Sequence, residues 1–169
     1  EIGGARIVLI ENLTSWHQWV TARPGADELV VYTGGFPNRT AQLLLRKLGS
    51  YVYGAAAANG PAEGAAPGTG GAGKLPVYHW GDMDAGGIHI FEFLRSRFFP
   101  GLVPIGMDEA SYLRYADAGM EFSRTYGNKL KEMLASGRFA RWHGLLELML
   151  AHGKRIEQES MAIPAEAFG

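Results

Sequence analysis

Residues 77–93 read VYHWGDMDAGGIHIFEF, and the fold turns on how they divide. The first four, VYHW, are aromatic and β-branched, as in a short buried strand. GDMDAGG follows as a turn. The apolar segment at 88–99 begins with a strand-like alternation, but Ile90, Phe91, Leu94 and Phe98 fall on one helical face, so it reads as a helix. Strand, acidic turn and helix in that order are half of a parallel α/β unit.

The flanks repeat the pattern. Upstream, RIVLIE at 6–11 is the continuous β-branched run of a strand covered on both faces. Thr14 or Ser15 can cap a short helix that ends before Pro24. LVVYT at 29–33 is a second strand, Gly34 and Gly35 turn the chain, and Asn38 caps a helix expected to end at Gly49. Downstream, 102–105 is a fourth strand, and short helices follow at 109–115 and 129–135. A longer helix at 138–152 carries the stripe Phe139, Trp142, Leu146 and Met149, with Gly153 as its C-terminal cap. The expectation is a mainly parallel α/β sheet flanked by helices, one domain over 1–169.

Composition agrees. The 169 residues carry a net charge of −1, 47% hydrophobic and 20% charged residues, enough to bury a substantial core. The absence of cysteine excludes a disulfide scaffold, a thiolate zinc site and a thiol nucleophile. No apolar run is long enough to span a membrane and no leader pattern opens the chain, so a cytoplasmic location is expected. A first residue of Glu1 rather than Met suggests a piece of a longer protein. A charge this close to zero does not make the chain alone a strong electrostatic binder of nucleic acid. Residues 54–73, GAAAANGPAEGAAPGTGGAG, have too little apolar surface to offset the entropy of ordering them. The stretch 54–74 is therefore read as a flexible loop within the domain.

Three acids stand at strand ends. Glu11 closes the first strand, and Asp82 and Asp84 follow the third. Residues i and i+2 of an extended chain point the same way, and ligands of open α/β sheets sit at the carboxyl ends of strands. Carboxylates gathered there repel one another unless a hard cation such as Mg²⁺ joins them. The plain alternative is a turn in which Asp84 caps the next helix.

These residues carry a resemblance. IENLTSW at 10–16 together with GDMDAGG at 81–87 resembles a Toprim domain, the Rossmann-like Mg²⁺-binding fold of type IA and type II topoisomerases, DnaG-type primases and old-family nucleases. More narrowly, VLIENLTS, VVYTGGF, YHWGDMDAGGIHI, GMDEASY and RIEQE occur in the order found in JetD, the nuclease subunits of Wadjet plasmid-defence systems. The Toprim domain of that family is similar to that of the topoisomerase VI A subunit. The resemblance covers nearly the whole chain. It implies that Glu11 is a metal ligand or general acid/base, that Asp82 and Asp84 are metal ligands, and that Glu157 and Glu159 complete a second cation position. It further implies DNA cleavage with Mg²⁺ or Mn²⁺, on closed circular plasmids, with an SMC-type motor complex as partner and a homodimer as one arrangement. A topoisomerase VI A-like role and a non-catalytic docking or dimerisation module are the rival functions.

The remaining candidates read more plainly. His17, His79, His143 and His152 are core or surface histidines, and His89 merits mutation for its closeness to GDMDAGG. Glu157 and Glu159 can equally form a charged face beside Lys154 and Arg155. Arg39, Arg46 and Lys47, or Arg138 and Arg141 beside Trp142, could meet DNA phosphates, against the alternative of ordinary solvated helix faces. Asp108 and Glu109 read as a helix start.

Overall fold

A computed structural model describes residues 5–54 and 75–164. The expected loop at 54–74 lies outside them save for Gly54. Four strands, β1 (Arg6–Ile10), β2 (Glu28–Tyr32), β3 (Val77–Trp80) and β4 (Val103–Pro104), form an all-parallel sheet in the order β2-β1-β3-β4. β1 lies in the middle, paired on both sides, and Ile7, Val8, Leu9 and Ile10 are fully buried. That is why its sequence is an unbroken apolar run rather than an alternating one.

Helices cover both faces. α1 (Leu13–Ala22) packs Trp19 against Trp80 of β3, ring centroids 5.7 Å apart. The Trp19 indole N–H also donates to Glu28 Oε1 at 2.6 Å, tying α1 to β2. On the opposite face His79 meets Phe91 of α3 (Ala85–Arg97) at 5.7 Å. α2 (Arg39–Tyr53) shares that side through a close approach of Gly49 to the Phe98 carbonyl. Beyond β4 come α4 (Glu109–Tyr115), a 3₁₀ turn, β5 (Met120–Glu121), α5 (Arg124–Ala135), a second 3₁₀ turn (Ala140–Trp142), α6 (His143–His152) and β6 (Lys154–Arg155). β5 and β6 form a separate antiparallel pair.

Several boundaries correct the sequence reading. The cap of α1 is Asn12, whose Oδ1 accepts from the N–H of Thr14 and Ser15 at 2.7 and 3.2 Å, rather than either of those hydroxyls. α2 does not stop at Gly49 but runs on to Tyr53. There the glycine is a packing device, since a Cβ at 49 would collide with the Phe98 carbonyl oxygen. α5 begins at Arg124, capped by Ser123, five residues before its expected start. The expected helix at 138–152 divides into the 3₁₀ turn and α6, with Gly153 as the left-handed cap, φ +66°.

Gly49→Ala should therefore lower stability, although alanine is the better helix former by about 1 kcal/mol. Forcing α2 off the Phe98 carbonyl costs about 1–3 kcal/mol, the range for overpacking. A denaturation midpoint that rises instead would show that the helix can slide away freely.

Candidate functional site

The strand order reverses direction at β1: the chain moves outward through α1 to β2, then crosses back past β1 to β3. The crevice at such a switch point is where open parallel sheets hold ligands. Glu11 leaves β1 there, and Asp82 and Asp84 leave β3 beside it. The Glu11 N–H still reaches the Trp80 carbonyl at 3.2 Å, so the two strand ends remain in register where the acids emerge.

Glu11 has one carboxylate oxygen, Oε2, that is buried with no hydrogen-bond partner. It lies over Gly81, where a Cβ would come within 2.6 Å of it and within 2.7 Å of the His79 ring. Burial, and then the charges of Asp82 and Asp84, push the Glu11 pKa up to about 8, with the Asp82 backbone N–H pulling the other way.

Asp82 accepts the Gln158 N–H on Oδ1 at 2.7 Å. Its pKa rises to about 6, chiefly through burial; the hydrogen bond from Gln158 opposes this, Asp84 and Glu157 add repulsion, and Arg155 offsets part of it. Asp84 caps α3 by accepting the Gly87 N–H on Oδ1 at 2.7 Å, so the plain alternative holds for that oxygen. Its Oδ2 faces the Arg155 guanidinium at 3.6 Å. Gly87 is required here, because any Cβ would strike the Asp82 carbonyl.

The late segment closes the site. Met83 and Ile156 exchange backbone hydrogen bonds at 2.9 and 3.1 Å, joining the aspartate turn to the stretch after β6. Gln158 is fully buried. Its Oε1 accepts the Asn12 N–H at 2.9 Å and its Nε2 donates to the Trp80 carbonyl at 3.0 Å. Counting its own N–H on Asp82, this one residue ties together the end of β1, the end of β3 and a candidate ligand. Glu157 lies 3.9 Å from Arg155 and adds its charge to Asp82. Glu159 accepts from Asn12 Nδ2 at 2.9 Å, on the surface. Tyr126 of α5 accepts the Ala85 N–H at 2.7 Å, bracing the start of α3. Gln158, Arg155, Asn12 and Tyr126 are the participants that the sequence reading did not assign.

The other candidates separate. His17 is on α1, His143 and His152 on α6, and His79 is fully buried in β3, its pKa lowered to about 3 by burial and so neutral. His89 is on α3, its ring 4.9 Å from Phe139. Trp142 is a core residue, donating to Glu92 Oε1 at 2.9 Å. Arg138 and Arg141 stack over Phe139 and Phe91, and Arg39, Arg46 and Lys47 are exposed. Asp108 caps α4 through the Ser111 N–H, as expected of a helix start. Among the described residues no group of three or more His, Cys, Asp or Glu side chains is placed to hold a metal ion as it stands. Asp82 and Asp84 each have one oxygen engaged by a backbone N–H, and the second oxygen of Asp84 faces Arg155. No helix among the described residues is long and apolar enough to cross a membrane.

The Glu11 carboxyl gives a pH signature. Its proton is held more tightly in the folded than in the unfolded chain, so the stability this contributes is complete below the ordinary value of 4.5 and lost as pH rises through about 8. Above pH 7 the neutral His79 no longer opposes this slope. Metal-free protein should therefore melt progressively lower from pH 7 to pH 9. Glu11→Gln should flatten that slope and gain about 1–2 kcal/mol at the upper end. Parallel melting curves for the two proteins would mean that Glu11 is solvated.

A doubly wound parallel sheet with carboxylates at its switch point defines an α/β domain with an acidic cluster at the strand ends. Residues 1–167 match the family described as Wadjet protein JetD, C-terminal, and the chain belongs to that family. It is 40% identical over 153 residues, 90% of its length, to the Wadjet protein JetD of Bacillus cereus (strain Q1). It covers 32% of that relative, so it corresponds to about a third of the longer protein.

Proposed function

We propose that this chain is the divalent-cation-dependent nuclease domain of a plasmid-defence protein. It cleaves phosphodiester bonds of closed circular DNA in the cytoplasm, alongside an SMC-type motor complex. The observation that carries this reading is the buried, unpartnered Glu11 Oε2 beside Asp82 and Asp84 at the switch point. A buried polar atom without a partner is costly unless something binds it. Membership of the JetD C-terminal family and the likeness of the acidic motifs to a Toprim domain support the same reading.

The donors are of the kind a hard cation takes, all oxygen, and burial, then neighbouring charge, raises the pKa of two of the carboxyls; the side chains would have to close in to bind one ion together. Asp82 and Asp84, with Glu11, would hold Mg²⁺ or Mn²⁺. Glu157 flanks Asp82, and Glu159 at the rim would complete a second position. Such an ion supplies an activated water and neutralises charge on the phosphoryl group. The chain's own groups do the rest. The Gln158 N–H fixes one oxygen of Asp82 and the Gly87 N–H one oxygen of Asp84; the second oxygen of Asp84 faces Arg155. Without a cation Glu11 has a pKa of about 8 and keeps its proton at neutral pH; a bound dication would favour its ionised, ligating form.

The test is incubation of the intact protein with supercoiled and linear plasmid in Mg²⁺, Mn²⁺ or EDTA. Cutting of closed circular DNA with either cation and none in EDTA is expected. Cutting that survives EDTA, or no cutting under any condition, would sink the reading.

A further inference from the structure

We propose that Arg155 is the DNA-phosphate contact of this site, held in reserve across Asp84 and Glu157 until a divalent cation takes over those carboxylates. The inference rests on the nuclease reading and adds the substrate-gripping residue to it. A phosphodiester has to approach Asp82, Asp84 and Glu157, carboxylates of its own sign when ionised. Some cation of the protein must meet it.

Arg155 is placed and prepared for that. Its guanidinium lies 3.6 Å from Asp84 Oδ2 and 3.9 Å from Glu157 Oε1. These are ion-pair distances, longer than the about 2.7–2.9 Å of a charge-assisted hydrogen bond. The fork is thus attracted to both carboxylates without being locked on to either. Its base is rigid: Arg155 pairs with Met120 across β5 and β6, and its neighbour Ile156 is bonded to Met83 in the aspartate turn. The guanidinium stacks over Tyr126 at 5.8 Å while about a third of the side chain stays exposed (33%). A planar fork held from below and open above suits bidentate phosphate binding. A dication outbids a single positive charge for Asp84, and the released fork then faces the incoming phosphate.

The experiment uses the intact protein, with Arg155→Met and Arg155→Lys beside Asp82→Asn. Three readouts are taken: Mn²⁺ affinity without DNA, plasmid cleavage, and the salt dependence of binding a short duplex in EDTA and in Ca²⁺. Arg155→Met should bind Mn²⁺ at least as tightly as wild type, because a competing cation is gone. It should bind duplex about 10–100-fold more weakly in Ca²⁺, the scale of a charged hydrogen-bonding contact. The slope of log affinity against log salt in Ca²⁺ should be shallower by about one. In EDTA, where the fork is still held by the carboxylates, the variant and wild type should differ little.

A wild-type slope and affinity in Ca²⁺, or weaker Mn²⁺ binding together with a lowered Tm, would make Arg155 a brace and overturn the proposal. Should Arg155→Met fail to fold, Arg155→Lys decides: cleavage should fall at an unchanged Tm, and wild-type cleavage refutes the role. Full cleavage by Asp82→Asn refutes the nuclease reading itself. Loss of cleavage there, with full DNA binding and cutting by Arg155→Met, refutes the Arg155 role alone.

Discussion

Asp82→Asn should cut plasmid cleavage by about 10²–10³-fold, the scale of removing one charge-stabilising group, while leaving the fold intact. The geometry separates these two effects. An asparagine Oδ1 can accept the Gln158 N–H as Asp82 does at 2.7 Å, so the connection to the late segment survives. The neutral amide also resembles the protonated carboxyl that burial and neighbouring charge favour up to about pH 6. Metal-free stability at pH 8 should therefore be unchanged or raised by about 1 kcal/mol, as often found when active-site charge is relieved. The Mg²⁺-dependent rise in Tm should largely vanish, since stabilisation by a ligand follows its affinity for the folded state. Melting curves with and without Mg²⁺, beside a cleavage assay, test all three. Strong destabilisation without metal would make Asp82 an anchor for Gln158 and nothing more.

Gln158→Leu should be the most destabilising single change near the site, by about 3–5 kcal/mol. Its side chain satisfies the partly buried Asn12 N–H and the fully buried Trp80 carbonyl. Leaving either group unpaired costs about 1–3 kcal/mol, and apolar contact at the same spot returns only part of it. Gln158→Met, which keeps the length, serves as the control for volume. If Met is tolerated to within about 1 kcal/mol by urea denaturation, packing rather than hydrogen bonding holds the latch.

Much of this arrangement is legible in the sequence because local chemistry and tertiary structure agree. β1 reads as doubly covered because it is, and β3 has its expected bounds, Val77–Trp80. The acidic turn follows from strand-end position alone. Misread elements are those where a distant contact overrides a local signal. Gly49 looks like a helix stop, yet its small size serves the Phe98 carbonyl across the face. Thr14 and Ser15 are good capping residues, but Asn12 stands two residues past β1 and its backbone N–H is claimed by Gln158. Gln158 itself was invisible for the same reason. Between two glutamates it reads as part of a charged face, and its burial depends on partners 146 and 78 positions away. The alternation in RIEQE, with Ile156 and Gln158 buried and the acids turned outward, is the one local hint.

That long return has a consequence for how the protein comes into being. During synthesis β1, β3 and their acids leave the ribosome well before residues 154–160, which bring in Ile156, Gln158 and the Arg155 counter-charge. Until that last stretch emerges, Asp82 lacks its Gln158 N–H and the turn lacks its Ile156 pairing, while Asp84 keeps only its local cap on α3. A half-made chain therefore holds its acids without the segment that orients Asp82, and the arrangement is complete only when residues 154–160 have been made.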